Sequence, residues 1–420
     1  MMKRMLIIHP HWPPSNTTGV HRVRLIANEL EQLNWKAVVL TVDERDIEDE
    51  LAPDLKQLVS DHVEVIKVRA NPVRHLFGKR LIGDIGLRAW IPIRRKAQAM
   101  LASQSFHFIW FSVPSWYTPL MGPGLNRKFK VQFGVDYRDP WVYELAFSQK
   151  GLNRATATVA LARLLEPLAL KNVGLISGVS DGYLEGVRRR YSFLSQANSL
   201  TFQMGFRRAD HEVHLPNFTP PFAPKARTYI YAGAYSPNWQ PLFSTWLKAL
   251  AQLHNQAPLH GIEFLFVGTG NLELPSIQSQ AEELGIQSIV REIPERQPYL
   301  EVQQMLRESD GALVIGSIEA HYSASKLFQC LVTAPRVFGF FHEASEGREI
   351  LEACQADSFY VAYHPEKAHE QLQAELQSAI LQFTDPSSHW EPDLAPLQQH
   401  TSANNAQKFI AAVEEAIGYI

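Results

Sequence analysis

The tightest constraint in this sequence is a recurring alternation: short, mostly apolar, β-favouring runs, with stretches of helical spacing between several of them. In the first half the strand-like runs fall at residues 5–9, 37–42, 63–68, 108–113, 131–135 and 174–177, with helical patterns at 20–33 and 93–103. The second half repeats the scheme, with strands expected at 228–232, 263–267, 288–292, 312–315, 336–340 and 359–362. Helices are expected there at 241–255, 277–284, 299–308 and 325–331. A strand with water on one face alternates apolar and polar residues, whereas one covered on both faces does not. Runs such as Phe108-Ile109-Trp110-Phe111 therefore belong to a parallel sheet wrapped by helices, and the chain carries two such sheets.

The expected fold is α/β, with two Rossmann-like, doubly wound parallel-sheet domains. The carboxyl ends of their strands, the usual ligand side, are expected to face a shared cleft. A length of 420 residues suits two cores rather than one. Residues 215–224 hold four prolines, cannot form a regular helix and read as the linker. The expected domains are thus 1–215 and 216–396. A second irregular stretch, 384–396, precedes a final helix at 403–417. No self-similarity at a solenoid period is present.

Composition removes several classes. Apolar residues make up 45% and charged residues 20%, a globular balance. No stretch reaches the roughly 18–20 apolar residues that span a bilayer. The amino-terminal apolar run, Met5-Leu6-Ile7-Ile8, is too short for a secretory signal and reads better as a strand. Two cysteines, Cys330 and Cys354, argue against a disulfide framework and against a cysteine metal site, which makes the cytoplasm the expected location. Net charge is −3 but unevenly spread: residues 1–215 hold 29 Lys and Arg against 20 Asp and Glu, and the remainder hold 11 against 23. Basic residues mix with apolar ones in Arg74-His75-Leu76-Phe77-Gly78-Lys79-Arg80 and from Arg88 to Lys96. Such segments suit an anionic membrane surface, with a plain solvated helix face as the alternative. A nucleic-acid partner is not expected, since the basic half contains no recognition module.

Three constellations carry chemistry. The first is the loop after the first strand, Pro10-His11-Trp12-Pro13-Pro14-Ser15-Asn16-Thr17-Thr18-Gly19, followed by His21 and Arg22. It ends where a helix begins, so free N–H groups there can meet an anion and Gly19 permits close approach. It lacks the Gly-x-Gly-x-x-Gly fingerprint. Gly268-Thr269-Gly270 lacks it too, with Glu273 where the third glycine belongs, so no nicotinamide or flavin cofactor is expected. The second is Asp136-Tyr137-Arg138-Asp139-Pro140-Trp141, at the carboxyl end of a strand. Asp136 is placed to orient or deprotonate an acceptor hydroxyl, while Arg138 and Asp139 can pair and cap a helix beginning at Pro140. The third is Ser323-Ala324-Ser325-Lys326-Leu327-Phe328-Gln329. A lysine in the first turn of a helix opposes the macrodipole unless an anion joins it, and a diphosphate meets the hydroxyls, the ammonium and the free N–H groups together. Ser325 can equally be a plain N-cap.

At these residues the chain resembles bacterial family 4 glycosyltransferases of the GT-B fold, over essentially its full length and in order. The resemblance runs through Pro13-Pro14 to Gly19, the Asp136–Trp141 stretch (similar to an Asp-Phe-Arg-Asp-Pro-Trp signature), Val179-Ser180, Tyr231-Ala232-Gly233, Phe266-Val267-Gly268-Thr269-Gly270 and Ser325-Lys326-Leu327-Phe328-Gln329-Cys330-Leu331. It implies retaining transfer from a nucleotide diphosphate sugar, with no essential metal or redox cofactor. It also implies a first lobe that binds a glycan or lipid-linked acceptor, a second that binds the donor, and a last helix (within 403–420) that crosses back to the first. Asp136 and Lys326 would then be the catalytic pair. Gly19, Gly233, Ser323, Ser325, Lys326 and Gln329 would hold the donor, and His21, Arg22, Arg138 and Trp141 would lie on the acceptor side. Many relatives work at the inner face of the membrane, which makes peripheral attachment there an expectation.

The sequence departs from that pattern at three places. The two glutamates common in relatives, eight positions apart, are His321 and Gln329 here, with Glu319 nearby. The Arg and Lys expected after the first donor-domain strand are replaced by Ser236-Pro237-Asn238-Trp239-Gln240, which leaves Lys326 as the main cation unless Arg291 reaches the phosphates. The usual Gly-Lys/Arg-Pro-Val reads Ala334-Pro335-Arg336-Val337. Two other functions remain open at this level: an epimerase or hydrolase of nucleotide sugars on the same scaffold, and a non-catalytic scaffold that binds a membrane or partner.

Overall fold

The computed structural model describes residues 2–73, 75–76, 79–80, 83–113, 115–142, 154–319 and 325–418. The chain forms two compact units, Met1–Arg207 with His400–Ile420, and Arg208–Gln399. Strands of the first unit are β1 (Lys3–Ile8), β2 (Trp35–Val42), β3 (Glu64–Val68), the two-residue β4 (His75–Leu76) and β5 (Lys79–Arg80), β6 (Phe108–Val113), β7 (Gln132–Tyr137), β8 (Leu175–Gly178) and β9 (Asn198–Thr201). The second unit contains β10 (Arg227–Ala232), β11 (Ile262–Val267), β12 (Val290–Ile293), β13 (Gly311–Ile315), β14 (Val337–His342) and β15 (Tyr360–Tyr363).

The first sheet has seven strands in the order β3-β2-β1-β6-β7-β8-β9, and the second has six in the order β12-β11-β10-β13-β14-β15. Every pairing within these two sheets is parallel. Each is therefore the doubly wound sheet expected from the apolar runs. In both, chain order reverses beside the first strand of the unit, at β1/β6 and at β10/β13, the switch point where such sheets receive ligands. β6 shows why its sequence is apolar at every position but Ser112: all six residues are buried. Ile109, Phe111 and Val113 enter one core layer, while Phe108 and Trp110 enter the layer on the other face. β9 is the strand the periodicity does not reveal, because Asn198-Ser199-Leu200-Thr201 is a half-exposed edge and carries little apolar signal.

The proline-rich stretch is not where the chain changes unit. The division falls at Arg207/Arg208, and residues 211–223 are already tied to the second unit. His211 Nδ1 meets Gln303 Oε1 at 2.7 Å, Leu215 N donates to Gln304 Oε1 at 2.8 Å, and Ala223 N donates to Glu263 Oε2 at 3.0 Å. Prolines lack the N–H a sheet ladder needs, so this segment lies as an irregular strap held by side chains. The chain returns to the first unit at His400. Its final helix, Ser402–Ala416, starts with Thr401 accepting from Asn404 N and buries Phe409 against Trp110, ring centres 4.5 Å apart. Ser402 Oγ donates to Glu29 Oε1 at 2.7 Å and Lys3 pairs with Glu414 at 2.5 Å. No helix among the described residues is long and apolar enough to cross a membrane.

Phe409→Ala removes a fully buried ring from the first unit, with an expected loss of about 3–5 kcal/mol. Urea unfolding followed by Trp fluorescence measures it; a loss within about 0.5 kcal/mol, the scale of a surface change, shows that the returning helix is not part of that core.

Candidate functional site

A polar row crosses the carboxyl edge of the first sheet. Ser112 on β6 stands opposite Asp136 on β7, and Asp136 opposite Ser177 on β8, while His9 directly follows β1. The Asp136 carboxylate accepts from Arg22 Nε and Nη2, both at 2.8 Å, from Ser177 Oγ at 2.7 Å and from Ser112 Oγ at 3.2 Å. Arg22 comes from the Gly19–Glu29 helix, and its remaining Nη1 donates to Phe202 O at 2.7 Å. The guanidinium carbon lies 3.7 Å from the centre of the Phe202 ring. Burial alone would raise the Asp136 pKa, but the Arg22 charge and the hydrogen bonds from Arg22, Ser177 and Ser112 outweigh it and hold the carboxyl below its ordinary value.

This corrects the expectation that Asp136 faces an acceptor. Asp136 and Arg22 are both buried and satisfy each other, so the pair fixes the Gly19–Glu29 helix to β7 and Phe202. Tyr137, one residue on, points to the opposite face and donates to Glu166 Oε1 at 3.1 Å, as strand alternation requires. Arg138 lies beyond the strand end. Its Nη2 and Nε donate to Asp139 Oδ2 at 2.7 and 3.0 Å, and its Nη1 donates to Thr18 Oγ1 at 2.6 Å, which joins the 136–141 stretch to the loop before Gly19. Residues 140–142 are not helical, so no helix begins at Pro140. Trp141 is buried and stacks on Trp116 at 6.1 Å, with Tyr117 edge-on at 6.4 Å. His21 is buried too, with Arg24 Nη2 3.4 Å from its Nδ1.

His9 was not singled out by the sequence. Its Nδ1 lies 3.2 Å from Ser112 O, so the proton resides on Nδ1 and Nε2 presents a bare lone pair. Nε2 is buried without a partner among the described residues. Burial first, then the charges of His11 and Arg138, push the His9 pKa down to about 3, which keeps the ring neutral. The only sequence signal for it is a polar residue closing an otherwise apolar strand.

At the carboxyl edge of the second sheet the centre is Lys326, in the first turn of the Ser325–Thr333 helix. Its ammonium donates to Tyr231 Oη at 3.1 Å and sits 4.8 Å from the centre of that ring. Tyr231 in turn donates to Ala234 O at 2.9 Å. Gly233 leaves the room: a Cβ there would lie 1.5 Å from Lys326 Nζ. Beside it Asn238 Nδ2 donates to Glu319 Oε1 at 3.0 Å, and Ser317 Oγ accepts from Glu319 N at 3.0 Å. Gln329 Oε1 accepts from Gln303 Nε2 at 3.4 Å. Ser323 and His321 lie outside the described residues, as does the side chain of Ser325. Arg291 does not reach this edge; its Nε donates to Glu263 Oε1 at 2.7 Å and its Nη2 donates to Pro221 O, so it anchors the proline-rich strap. Among the described residues no cluster of His, Cys, Asp and Glu is arranged to hold a metal ion. Cys330 and Cys354 are both free and buried.

No protein-family model matches this sequence, and no curated protein matches it either. Solved structures do resemble it. The pneumococcal O-GlcNAc transferase GtfA, in complex with UDP and GlcNAc, superposes with a TM-score of 0.61 over 99% of each chain at 10% identity. A sucrose-phosphate synthase from Thermosynechococcus elongatus gives 0.57 over 99% of this chain and 96% of its own, at 12% identity. WaaG, a glycosyltransferase involved in lipopolysaccharide biosynthesis, gives 0.56 over 99% of each chain at 15% identity. Likeness at such identity establishes the fold: two parallel-sheet α/β units in one polypeptide, the GT-B fold found in glycosyltransferases.

Asp136→Asn leaves the Arg22 charge buried and unpaired, with an expected cost of about 3–5 kcal/mol at pH 7. Replacing both residues together, Arg22→Met with Asp136→Leu, is expected to cost much less. Because the folded pKa of Asp136 is depressed, its contribution is full above the unfolded carboxyl value of roughly 3.9 and is lost as pH falls through the lower folded value. Urea unfolding of wild type and Asp136→Asn between neutral and acid pH should show the two curves converging at low pH. Parallel curves would mean that the carboxylate is not held by Arg22.

Proposed function

We propose that this protein is a glycosyltransferase similar to family 4, moving a sugar from a nucleoside diphosphate sugar to a glycan or lipid-linked acceptor. The observation that carries the reading is Lys326. Its side chain leaves the first turn of a helix and its ammonium occupies the space that the absent side chain of Gly233 leaves. A helix start with a lysine in its first turn favours an anion, and a diphosphate supplies two adjacent negative groups. As the sugar departs, negative charge develops on the diphosphate. A fixed ammonium and helix N–H groups stabilise that charge without a metal or a redox cofactor. Gln329 is assigned to the ribose, with Gln303 orienting its amide, and Ser323 and Ser325 to the phosphates. Retention at the anomeric carbon follows the family resemblance.

The acceptor is assigned to the first unit. Asp136 acts there as a positioning residue: it holds Arg22 and the two serines and thereby shapes the sheet edge on which His9, Arg138 and Gly19 stand. UDP is the first nucleotide to test, since GtfA was solved with it.

Thermal unfolding with UDP, GDP and NAD tests the donor site. One nucleoside diphosphate should stabilise the protein by about 2.7 kcal/mol at 100 times its dissociation constant, and NAD should not. Lys326→Ala should lower transfer turnover by roughly 10²–10³ while leaving the melting temperature of the free protein nearly unchanged. Unaltered turnover removes Lys326 from that role, no stabilisation by any nucleotide favours a non-catalytic scaffold, and conversion of the donor without an acceptor favours an epimerase or hydrolase.

A further inference from the structure

A buried chain of polar groups leads from the start of the second unit to Gln329. The Arg208–His211 helix is the first element of that unit, and its last residue, His211, is buried. Arg307 Nη2 donates to His211 O at 2.9 Å and to Val213 O at 2.8 Å, which pins this backbone to the Tyr299–Glu308 helix. Gln303, on the same helix, is fully buried. Its Oε1 lies 2.7 Å from His211 Nδ1 and accepts from Thr333 Oγ1 at 3.4 Å. Its Nε2 donates to Gln329 Oε1 at 3.4 Å.

The chemistry of the end groups gives each of these bonds a direction. An amide oxygen only accepts, so the proton between Gln303 Oε1 and His211 resides on Nδ1. Thr333 Oγ1 stands 2.9 Å from that nitrogen and turns its own proton to Gln303 Oε1. With its oxygen taken by two donors, Gln303 offers its NH2 group to Gln329 and engages the Gln329 oxygen. What Gln329 has left is its amide nitrogen, for which no described residue provides an acceptor. Its side chain is partly exposed, one turn on from Lys326 and on the same face of the Ser325–Thr333 helix. A glutamine free at both ends can turn either way. This one presents donors.

We propose that His211 is a positioning residue for the donor nucleotide: through Gln303 it holds the Gln329 amide nitrogen toward the ribose, so that the site recognises a ribose hydroxyl by donating to it. The inference rests on the assignment of Gln329 to the ribose, and adds the polarity of that contact and the residue that sets it. An amide fixed beforehand does not have to be ordered when the nucleotide arrives. An analogue without the hydroxyl cannot accept from that N–H and binds less well. A histidine that merely filled the core would leave this selectivity untouched when replaced.

Calorimetric titration of the full-length protein tests it, with UDP, GDP and the forms of each that lack one or other ribose hydroxyl. The wild type is expected to bind one of the two diphosphates, and one of its deoxy forms about three- to tenfold more weakly, the worth of one neutral hydrogen bond. His211→Leu should abolish that preference. His211→Asn, whose amide nitrogen can stand in for Nδ1, should keep it. Because the preference is a ratio within each variant, a general loss of stability does not imitate the effect. Combining His211→Leu with Gln329→Leu should lose no more of the preference than Gln329→Leu alone. A measurement on the wild type needs no altered core: with isotope-labelled glutamine, the Gln329 NH2 resonance, assigned by its absence in Gln329→Leu, should shift with the diphosphate and much less with the weaker deoxy form. Failure of the wild type to bind either diphosphate overturns the donor-site reading and this inference with it. Binding without any preference overturns this inference alone, as does an unchanged preference in His211→Leu or an equal shift with both nucleotides.

Discussion

Arg22 and Asp136 meet in the interior of the first unit, and the polar edge of its sheet is arranged around them. Each would be costly to bury alone, since an isolated charge in a dry core loses its hydration without return. Together they consume both carboxylate oxygens and most of the guanidinium, and the serines of two neighbouring strands complete the set. The pair binds a helix, three strands and the Phe202 backbone into one body. It therefore fixes the start of the Gly19–Glu29 helix and, through Ser112, the ring of His9.

The second unit repeats the strand order of the first but uses its edge differently. In the first unit an arginine closes on a carboxylate; in the second, Lys326 lies against Gly233 and donates to the Tyr231 hydroxyl. The same strand order thus carries different polar contacts at the carboxyl edges of the two sheets, since fold does not fix the chemistry of a site.

Legibility varied with how local the signal was. The apolar run at 108–113, broken only by Ser112, marked its strand to the residue, because burial on both faces constrains nearly every position. The edge strand at Asn198–Thr201 left none. Lys326 could be read as a site residue because its conflict with the helix dipole is written within four residues. Asp136 was legible as unusual but not as buried, and Arg291 looked available until its partner Glu263 was placed beside it. His9 was invisible as a site residue, since a histidine at a strand end becomes notable only when its second nitrogen proves to have no partner.

The sequence by itself determined that this chain builds two helix-covered parallel sheets, where nearly every element lies, and which helix opens with a cation. Those properties follow from periodicity, propensity and dipole, and all act over a few residues. Only the tertiary structure decided that Arg22 closes on Asp136, 114 positions away. It alone tied the proline-rich strap to the second unit and turned three leucines of one helix outward. Such contacts depend on strand order and register, which bring together residues whose local patterns carry no record of one another.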